Sequence, residues 1–442
     1  MISPLLVGGL SVAAMLVLIA LGVPVAFAIS LVAIAGLWFV GGDRLVMATL
    51  EGLPYEFASQ YGFVVIPMFI LMGALAEQAR ITQDFYTFFY RLMGRVRGGL
   101  LMVTILSSAG FAAISGSTMV NAVVFTRIAL PQMIRFGYDR ALSAGCIAAA
   151  GTFAALIPPS IMMVVYALLT NESIGALLIA GILPGILTAL AYLVGVAIIA
   201  RIRPELAPMP DVRFTVREKL ASFAAVGPFI LLAFIVIGGI YAGVMFPSSA
   251  GAVGAAGAFV LLVGRAIVTR SRIDWSGVAG AIRSTAGTTA VLFLVIIAGL
   301  ILSRVFVYSG FVDEIVFAIE DSGLTPYGVL LIIVLMYLVL GCFMDTVSMT
   351  VVTVPFIHPI IVSLGFDPIW FGVILIKLIE MSVLTPPVGL NLFAVMSAAE
   401  GQVTAAQVYR GVMPFFLIEC VMLAILIAFP AISLFLPGLM LG

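Results

Sequence analysis

Of the 442 residues, 64% are hydrophobic and only 9% charged, and mean hydropathy is +1.30, which excludes a soluble chain and reads as a polytopic α-helical membrane protein. Twenty basic residues offset twenty acidic ones, so no basic surface argues for nucleic acid, and orientation must be read from where the arginines lie. A single histidine, His358, and three cysteines in apolar runs, Cys146, Cys342 and Cys420, leave no multi-histidine metal cluster and no disulfide framework.

Taken in order, residues 5–21 and 24–40 are two spans joined by a turn at Gly22-Val23-Pro24, each near the roughly 20 residues that a crossing needs. No basic residue precedes the first run and no clean cleavage site follows it, so it is expected to be retained. An acidic loop over 43–56 leads to a third span, 61–79, and then to a segment with Arg80, Arg91, Arg95 and Arg97 against one acid, Asp84. Lys and Arg gather on the cytoplasmic side of bacterial inner-membrane proteins, so this segment is expected inside and the N-terminus outside. Within 82–98, Phe85, Phe88, Phe89 and Leu92 fall at i, i+3, i+4 and i+7, the stripe of an arm helix lying in the interface.

The stretch 99–134 enters the membrane, breaks at Ser115-Gly116-Ser117-Thr118 and returns to Arg135 and Arg140, so it reads as a re-entrant hairpin. Its first limb, at about 1.5 Å per residue, reaches about 25 Å, enough to approach the membrane centre. Residues 141–169 then cross, broken at Leu156-Ile157-Pro158-Pro159-Ser160, and 174–200 return to an arginine-rich linker, 201–219. The second half, 220–442, opens with spans at 220–241, 248–264 and 284–302. It continues with an arm at 305–325, a hairpin at 327–363, a broken crossing at 369–395 and a final span at 415–436.

Laid on itself with an offset of 228 residues, the chain matches its own irregular features. Thr118 falls on Thr346, Pro131 on Pro359, Gly137 on Gly365, Asp139 on Asp367, and Pro158-Pro159 on Pro386-Pro387. The arginines of the first arm are replaced in the second by Asp313, Glu314, Glu320 and Asp321, so residues 1–200 and 220–442 are expected to be inverted repeats. Both termini then lie on the periplasmic side of the inner membrane.

Hydrocarbon leaves unbonded backbone groups costly, so breaks at membrane depth persist only where they are enclosed by protein or line a cavity. Each break leaves carbonyls at one half-helix end, which suit a cation, and N–H groups at the next, which suit an anion. The proline pairs fit the opening of a half-helix, where the missing N–H would be unpaired anyway. Ser115, Gly116, Ser117, Asn121 and Pro158 are candidate oxygen ligands of one cation site; Gly341, Asp345, Thr346, Ser348 and Thr385 of a second. An organic anion between them would meet Ser117, Pro159, Ser160, Pro387, Gly389 and Asn391. Oxygen-only ligands favour Na⁺ over a transition metal. Close packing of small residues is the competing account of the serines, whereas an intramembrane Asp345 normally has a role. Lys377 and Glu380, three apart on one helix, can pair, as structural neutralisation or as substrate contacts; Glu419 has no assigned role.

Read together, six motifs resemble the large membrane subunit of tripartite ATP-independent periplasmic (TRAP) transporters, within the ion-transporter superfamily. They are Phe111-Ala112-Ala113-Ile114-Ser115-Gly116-Ser117, Leu156-Ile157-Pro158-Pro159-Ser160, Ala180-Gly181-Ile182-Leu183-Pro184-Gly185, Gly341-Cys342-Phe343-Met344-Asp345, Phe366-Asp367-Pro368-Ile369-Trp370-Phe371-Gly372 and Thr385-Pro386-Pro387-Val388-Gly389-Leu390-Asn391. Thr118-Met119-Val120-Asn121 is bulkier than the small-residue run of that family. The resemblance implies a Na⁺-driven, elevator-type importer of organic acids such as C4-dicarboxylates. It also implies a separate small four-helix membrane subunit and a periplasmic substrate-binding protein. The alternatives are a self-sufficient Na⁺/dicarboxylate symporter of the same superfamily and, more remotely, an intramembrane enzyme, for which no Ser/His or paired-aspartate arrangement exists.

Overall fold

A computed structural model describes residues 3–210, 212–386 and 389–441. Among them every regular element is a helix, and eight helices are long and apolar enough to cross a bilayer. A ninth crossing is the pair Arg140–Leu156 and Ile161–Thr170, bent by 41°. The chain is therefore an all-α polytopic membrane protein, as its composition requires.

Several boundaries differ from the sequence reading, each for a local reason. The acidic segment after the second span is helix, not loop: Val25–Ser59 runs for 35 residues and changes direction only at Gly42. Gly42 has φ 67° and ψ −167°, a conformation essentially confined to glycine. The turn is fastened by the Trp38 indole N–H, which donates to Asp43 Oδ1 at 2.9 Å. The span expected at 284–302 is Trp275–Tyr308, begun by Asp274, which accepts from the Gly277 N–H at 3.0 Å, so Arg283 sits inside a helix. The last span is Ala405–Ala428, opened by a Thr404–Gln407 capping box rather than starting at residue 415. It stops at Phe429 because Pro430 restricts the residue before it and donates no N–H; Ala431–Leu441 is a separate helix.

The first arm is the helix Ile81–Met93, entered through Arg80 in the left-handed region. Its most buried residues are Ile81, Thr82, Phe85 and Tyr86, with Phe88 and Phe89 half-buried and Leu92 exposed, so the apolar stripe sits one turn earlier than predicted. The arm lies against Gly99–Ser115 and Val216–Tyr241 along its length: Ser107 donates to Phe85 O at 3.3 Å, and Phe88 meets Phe223. Arg265 fixes the start of the arm, pairing with Asp84 and donating to Ala79 O at 2.8 Å. The second arm is Phe311–Asp321, entered through Gly310 at φ 73° and packed on Pro4–Ala20; residues 305–308 belong to the preceding span.

The hairpins have limbs Gly99–Ser115 and Thr118–Arg135, and Pro326–Leu340 and Thr346–Ser363. The second broken crossing is Pro368–Ser382 followed by Leu390–Ala398. Matched caps set these elements. Ser117 and Asp345 each cap a returning limb, accepting from Val120 and Ser348 respectively. Asp139 and Asp367 each cap the first half of a broken crossing, accepting from Leu142 and Trp370. Every residue in these pairs lies 228 positions from its counterpart.

The hairpins exchange partners across the halves. The first returning limb packs on Leu390–Ala398 of the second broken crossing, and the second packs on Ile161–Thr170 of the first. Around them stand Val25–Ser59 against Trp275–Tyr308, and Val65–Gln78 against Pro247–Val268.

Candidate functional site

The first hairpin turns within two residues. Gly116, at φ 60°, closes the first limb, and Ser117, in extended backbone, opens the second by accepting from the Val120 N–H at 3.5 Å. A Cβ on Gly116 would lie 3.0 Å from Pro159 O, so tip and first break meet backbone to backbone. A Cβ on Gly73, in Val65–Gln78, would lie 3.0 Å from the Ser115 Cα, so a long helix is equally close on the other side.

At the first break the chain leaves the helix at Ile157, and the next half-helix starts at Ile161. Its N-cap is Ser160, which accepts from the Met163 N–H at 3.3 Å and also donates to Ala155 O. Pro158 and Pro159 therefore lie in the gap before the cap, not at the first helical position as expected. The cap needs an extended residue with a side-chain oxygen, and Ser160 supplies it.

The second tip is built differently. Asp345 Oδ1 accepts from the N–H groups of Val347 at 3.0 Å and Ser348 at 3.1 Å, while its other oxygen accepts from the Ser348 hydroxyl. Thr346 is the first residue of the returning limb. A Cβ on Gly341 would lie 2.1 Å from the Ser382 Cβ, so this tip sits on the end of the first half of the second broken crossing. Beyond Ser382, Thr385 donates to Met381 O at 2.8 Å, and Gly389, at φ 48°, leads into Leu390–Ala398. Pro387 lies outside the described residues.

These pieces enclose a cavity of about 350 Å³. Of the residues singled out from sequence, Ser115, Gly116, Ser117, Asp345, Thr346 and Asn391 line it; Asn121, Pro158, Pro159, Ser160, Gly341, Ser348, Thr385 and Gly389 do not. Sequence reasoning missed the wall given by the long helices: Gly73 and Glu77 on one, Ser284 and Thr288 on the other. Serine and threonine four apart, on one face of Trp275–Tyr308, were the available signal for the second pair.

Three buried oxygens in this region have no protein partner: Ser115 Oγ, Asn121 Oδ1 and Asn391 Oδ1. Both asparagines are fully buried, and each spends its amide N–H groups on carbonyls. Asn121 donates to Ser108 O at 3.3 Å and Gly151 O at 3.5 Å, and Asn391 to Ala148 O at 3.3 Å. Gly151 and Ala148 belong to one half-helix, Arg140–Gly151, so a single element orients both amides. Buried polar atoms are normally satisfied; unpartnered carbonyl and hydroxyl oxygens suit a hard cation. Among the described residues no group of three His, Cys, Asp or Glu could hold a metal ion.

Two hairpins and two broken helices thus meet at one cavity in a polytopic membrane protein. The same architecture is found in the YdaH transporter of Alcanivorax borkumensis, at TM-score 0.56 and 15% identity, over 88% of this chain and 89% of that one. The chain belongs to the DctM component family of the tripartite ATP-independent periplasmic transporters, whose family model matches residues 12–432. It is similar to the C4-dicarboxylate TRAP transporter large permease protein DctM of Pseudomonas aeruginosa, 36% identical over 87% of this chain and 88% of the relative. It is 31% identical to the sialic acid TRAP transporter large permease protein SiaM of Vibrio cholerae, over 95% and 96% of the two chains. The same identity, over 96% and 97%, relates it to the ectoine/5-hydroxyectoine TRAP transporter large permease protein UehC of Ruegeria pomeroyi. The chain is thus the large permease component of a TRAP transporter.

Proposed function

We propose that this permease imports an organic acid of the C4-dicarboxylate class, coupled to Na⁺, with the acid delivered by a periplasmic binding protein and a small four-helix membrane subunit completing the complex. The observation that carries the ionic part is the set of buried, unpartnered oxygens on Ser115, Asn121 and Asn391 beside a cavity reached by both hairpin tips. In this reading Na⁺ is cargo, held at the first tip by Ser115, Asn121 and neighbouring carbonyls, and at the second by oxygens around Asp345. The substrate class rests on similarity to the C4-dicarboxylate permeases of P. aeruginosa and V. cholerae. It acts in transport, not catalysis.

The motion we assign is an elevator. Hairpins and broken crossings pack on one another as a body, and the long helices approach that body through glycines: Gly73 against Ser115, and Gly299, whose added Cβ would lie 1.8 Å from Val351 Cγ1. Small residues at such an interface let the neighbouring helices come close.

Reconstitution in proteoliposomes tests the reading. Na⁺-dependent dicarboxylate uptake is expected with the small subunit and the binding protein both present and to be lost when either is omitted. Comparable uptake by this chain alone would place it with the self-sufficient symporters.

The proposed inverted repeats and inner-membrane location, with periplasmic termini, make a second prediction. Single cysteines at Arg95 and Glu320, in a background lacking the native three, should label with an impermeant reagent from the cytoplasmic and periplasmic faces respectively. Labelling of both from one face would remove the inversion.

A further inference from the structure

Among the described residues three charged side chains are completely buried, none of them in the cavity lining: Lys377 and Glu380 on Pro368–Ser382, and Glu419 on Ala405–Ala428. The Lys377 ammonium donates to Glu380 Oε2 at 2.9 Å and to Thr188 Oγ1 at 3.1 Å, and it is in ion-pair contact with Glu419 Oε2. The Tyr192 hydroxyl donates to Glu419 Oε1. Thr188 and Tyr192 lie on Ile182–Ile202, so three helices converge on one lysine.

The charges do not balance. Two carboxylates and one ammonium, all fully buried, leave one uncompensated negative charge, and a buried carboxylate without a counter-charge neutralises rather than remaining ionised. The hydrogen bonds show where neutralisation falls. Glu419 has a hydroxyl donor on one oxygen and, on the other, no hydrogen bond but an ion-pair contact with the ammonium, whereas Glu380 Oε1 is buried with neither a hydrogen bond nor an ion-pair contact.

Among the described residues Lys377 is the only cation within ion-pair distance of Glu380; the packed Ala405–Ala428 also carries Tyr409, Arg410 and Cys420, and Arg410 makes no ion pair with Glu380. On elements packed against Pro368–Ser382, Tyr166 donates to Pro368 O at 2.8 Å, Tyr337 bonds Thr353, and His358 faces Glu172 at 4.0 Å. Cys146, on the helix packed against Ala405–Ala428, donates to Leu101 O at 3.7 Å. None of these contacts supplies a cation to Glu380.

We propose that the Lys377–Glu380–Glu419 cluster is an intramembrane proton-binding site, holding one proton on Glu380 while Glu419 remains the counter-ion of Lys377. The site is mechanically close to the transport machinery: Ser382, two residues beyond Glu380, is the residue on which Gly341 of the second tip rests. The proton keeps the half-helix carrying Ser382 packed against its two neighbours.

Infrared spectroscopy of the purified full-length chain tests this directly. Wild type is expected to show a protonated-carboxyl C=O band that Glu380→Gln removes. Glu419→Gln removes it too, because Glu380 then becomes the single counter-ion of Lys377, so the site of the proton is read from Tyr192→Phe, which alters only the donor to Glu419 and should leave the band frequency unchanged. Because glutamine reproduces the neutral acid in shape, Glu380→Gln should also keep wild-type thermal stability. Glu419→Gln, which forces Glu380 to ionise with one buried oxygen unpartnered, should lower it. Absence of any band sensitive to Glu380→Gln, or a shift of the band frequency in Tyr192→Phe, would overturn the assignment. Either result would mean that a bound metal cation or the other carboxylate carries the compensation.

Discussion

Gly411→Ala is expected to cost most of the folded, active protein, although it adds one methyl group. A Cβ on Gly411 would lie 1.7 Å from Ala141 O, and one on Gly145 would lie 2.0 Å from Gly411 O. Arg140–Gly151 and Ala405–Ala428 therefore cross backbone against backbone, and no rotamer change can make room. Overpacking a tight site costs about 1–3 kcal/mol and occasionally more, and obstruction by main-chain atoms puts this case at or beyond the upper end. The displacement would not stay local, because Ala148 O and Gly151 O of the shifted half-helix orient Asn391 and Asn121. We expect a lower melting temperature in detergent and uptake below about a tenth of wild type, that is, a loss of about 1.4 kcal/mol or more in the limiting step. Gly264→Ala is the control: a Cβ there meets nothing within 4 Å, and alanine is the better helix former by about 1 kcal/mol. If the two variants were equally stable, the close crossing would not be a constraint.

What could be read from the sequence was the irregular part of the fold. Ser117, Asp139, Asp345 and Asp367 are helix caps whose role depends on a few following residues, so their repetition at a fixed offset carried local structure with it. The interruptions at 115–118, 156–160 and 341–345 were found from their Gly, Ser, Pro and Asp residues, and each falls at a boundary between helices. Helix lengths in the polar stretches were not: Asp43, Glu51 and Glu56 read as a loop because they are charged, yet charge outside hydrocarbon does not stop a helix, and only Gly42 bends it. Nor could the sequence show where Asn391 spends its amide, since Ala148 is 243 residues away. The pairing of Glu419 with Lys377 and Tyr192 is likewise a product of three helices packing together. The long-helix wall of the cavity was hidden by its apolar surroundings, where Gly73 and Ser284 look like ordinary packing residues.

Asp345→Ala is expected to abolish Na⁺-dependent uptake at low Na⁺, and comparison with Asp345→Asn separates its two roles. As a cap, Asp345 accepts from two backbone N–H groups through one oxygen and from the Ser348 hydroxyl through the other. Loss of a cap costs about 1 kcal/mol, within a usual range of about 0.5–2, which a membrane protein with extensive buried packing should survive. Asparagine keeps the oxygen that accepts from Val347 and Ser348, so the cap persists, but it removes the negative charge at the tip. If that charge holds Na⁺, both variants should lower apparent Na⁺ affinity by about tenfold or more, about 1.4 kcal/mol, while only alanine measurably lowers thermal stability. Ser117→Ala, the counterpart at the first tip, removes a neutral cap and an oxygen facing the cavity. It should reduce Na⁺ affinity less, because no charge is lost. The measurement is uptake against Na⁺ concentration at fixed substrate, alongside melting curves for each variant. Unchanged Na⁺ dependence in Asp345→Asn with a stable fold would make the carboxylate a cap alone, and the second cation site would have to be built from carbonyls and hydroxyls without it.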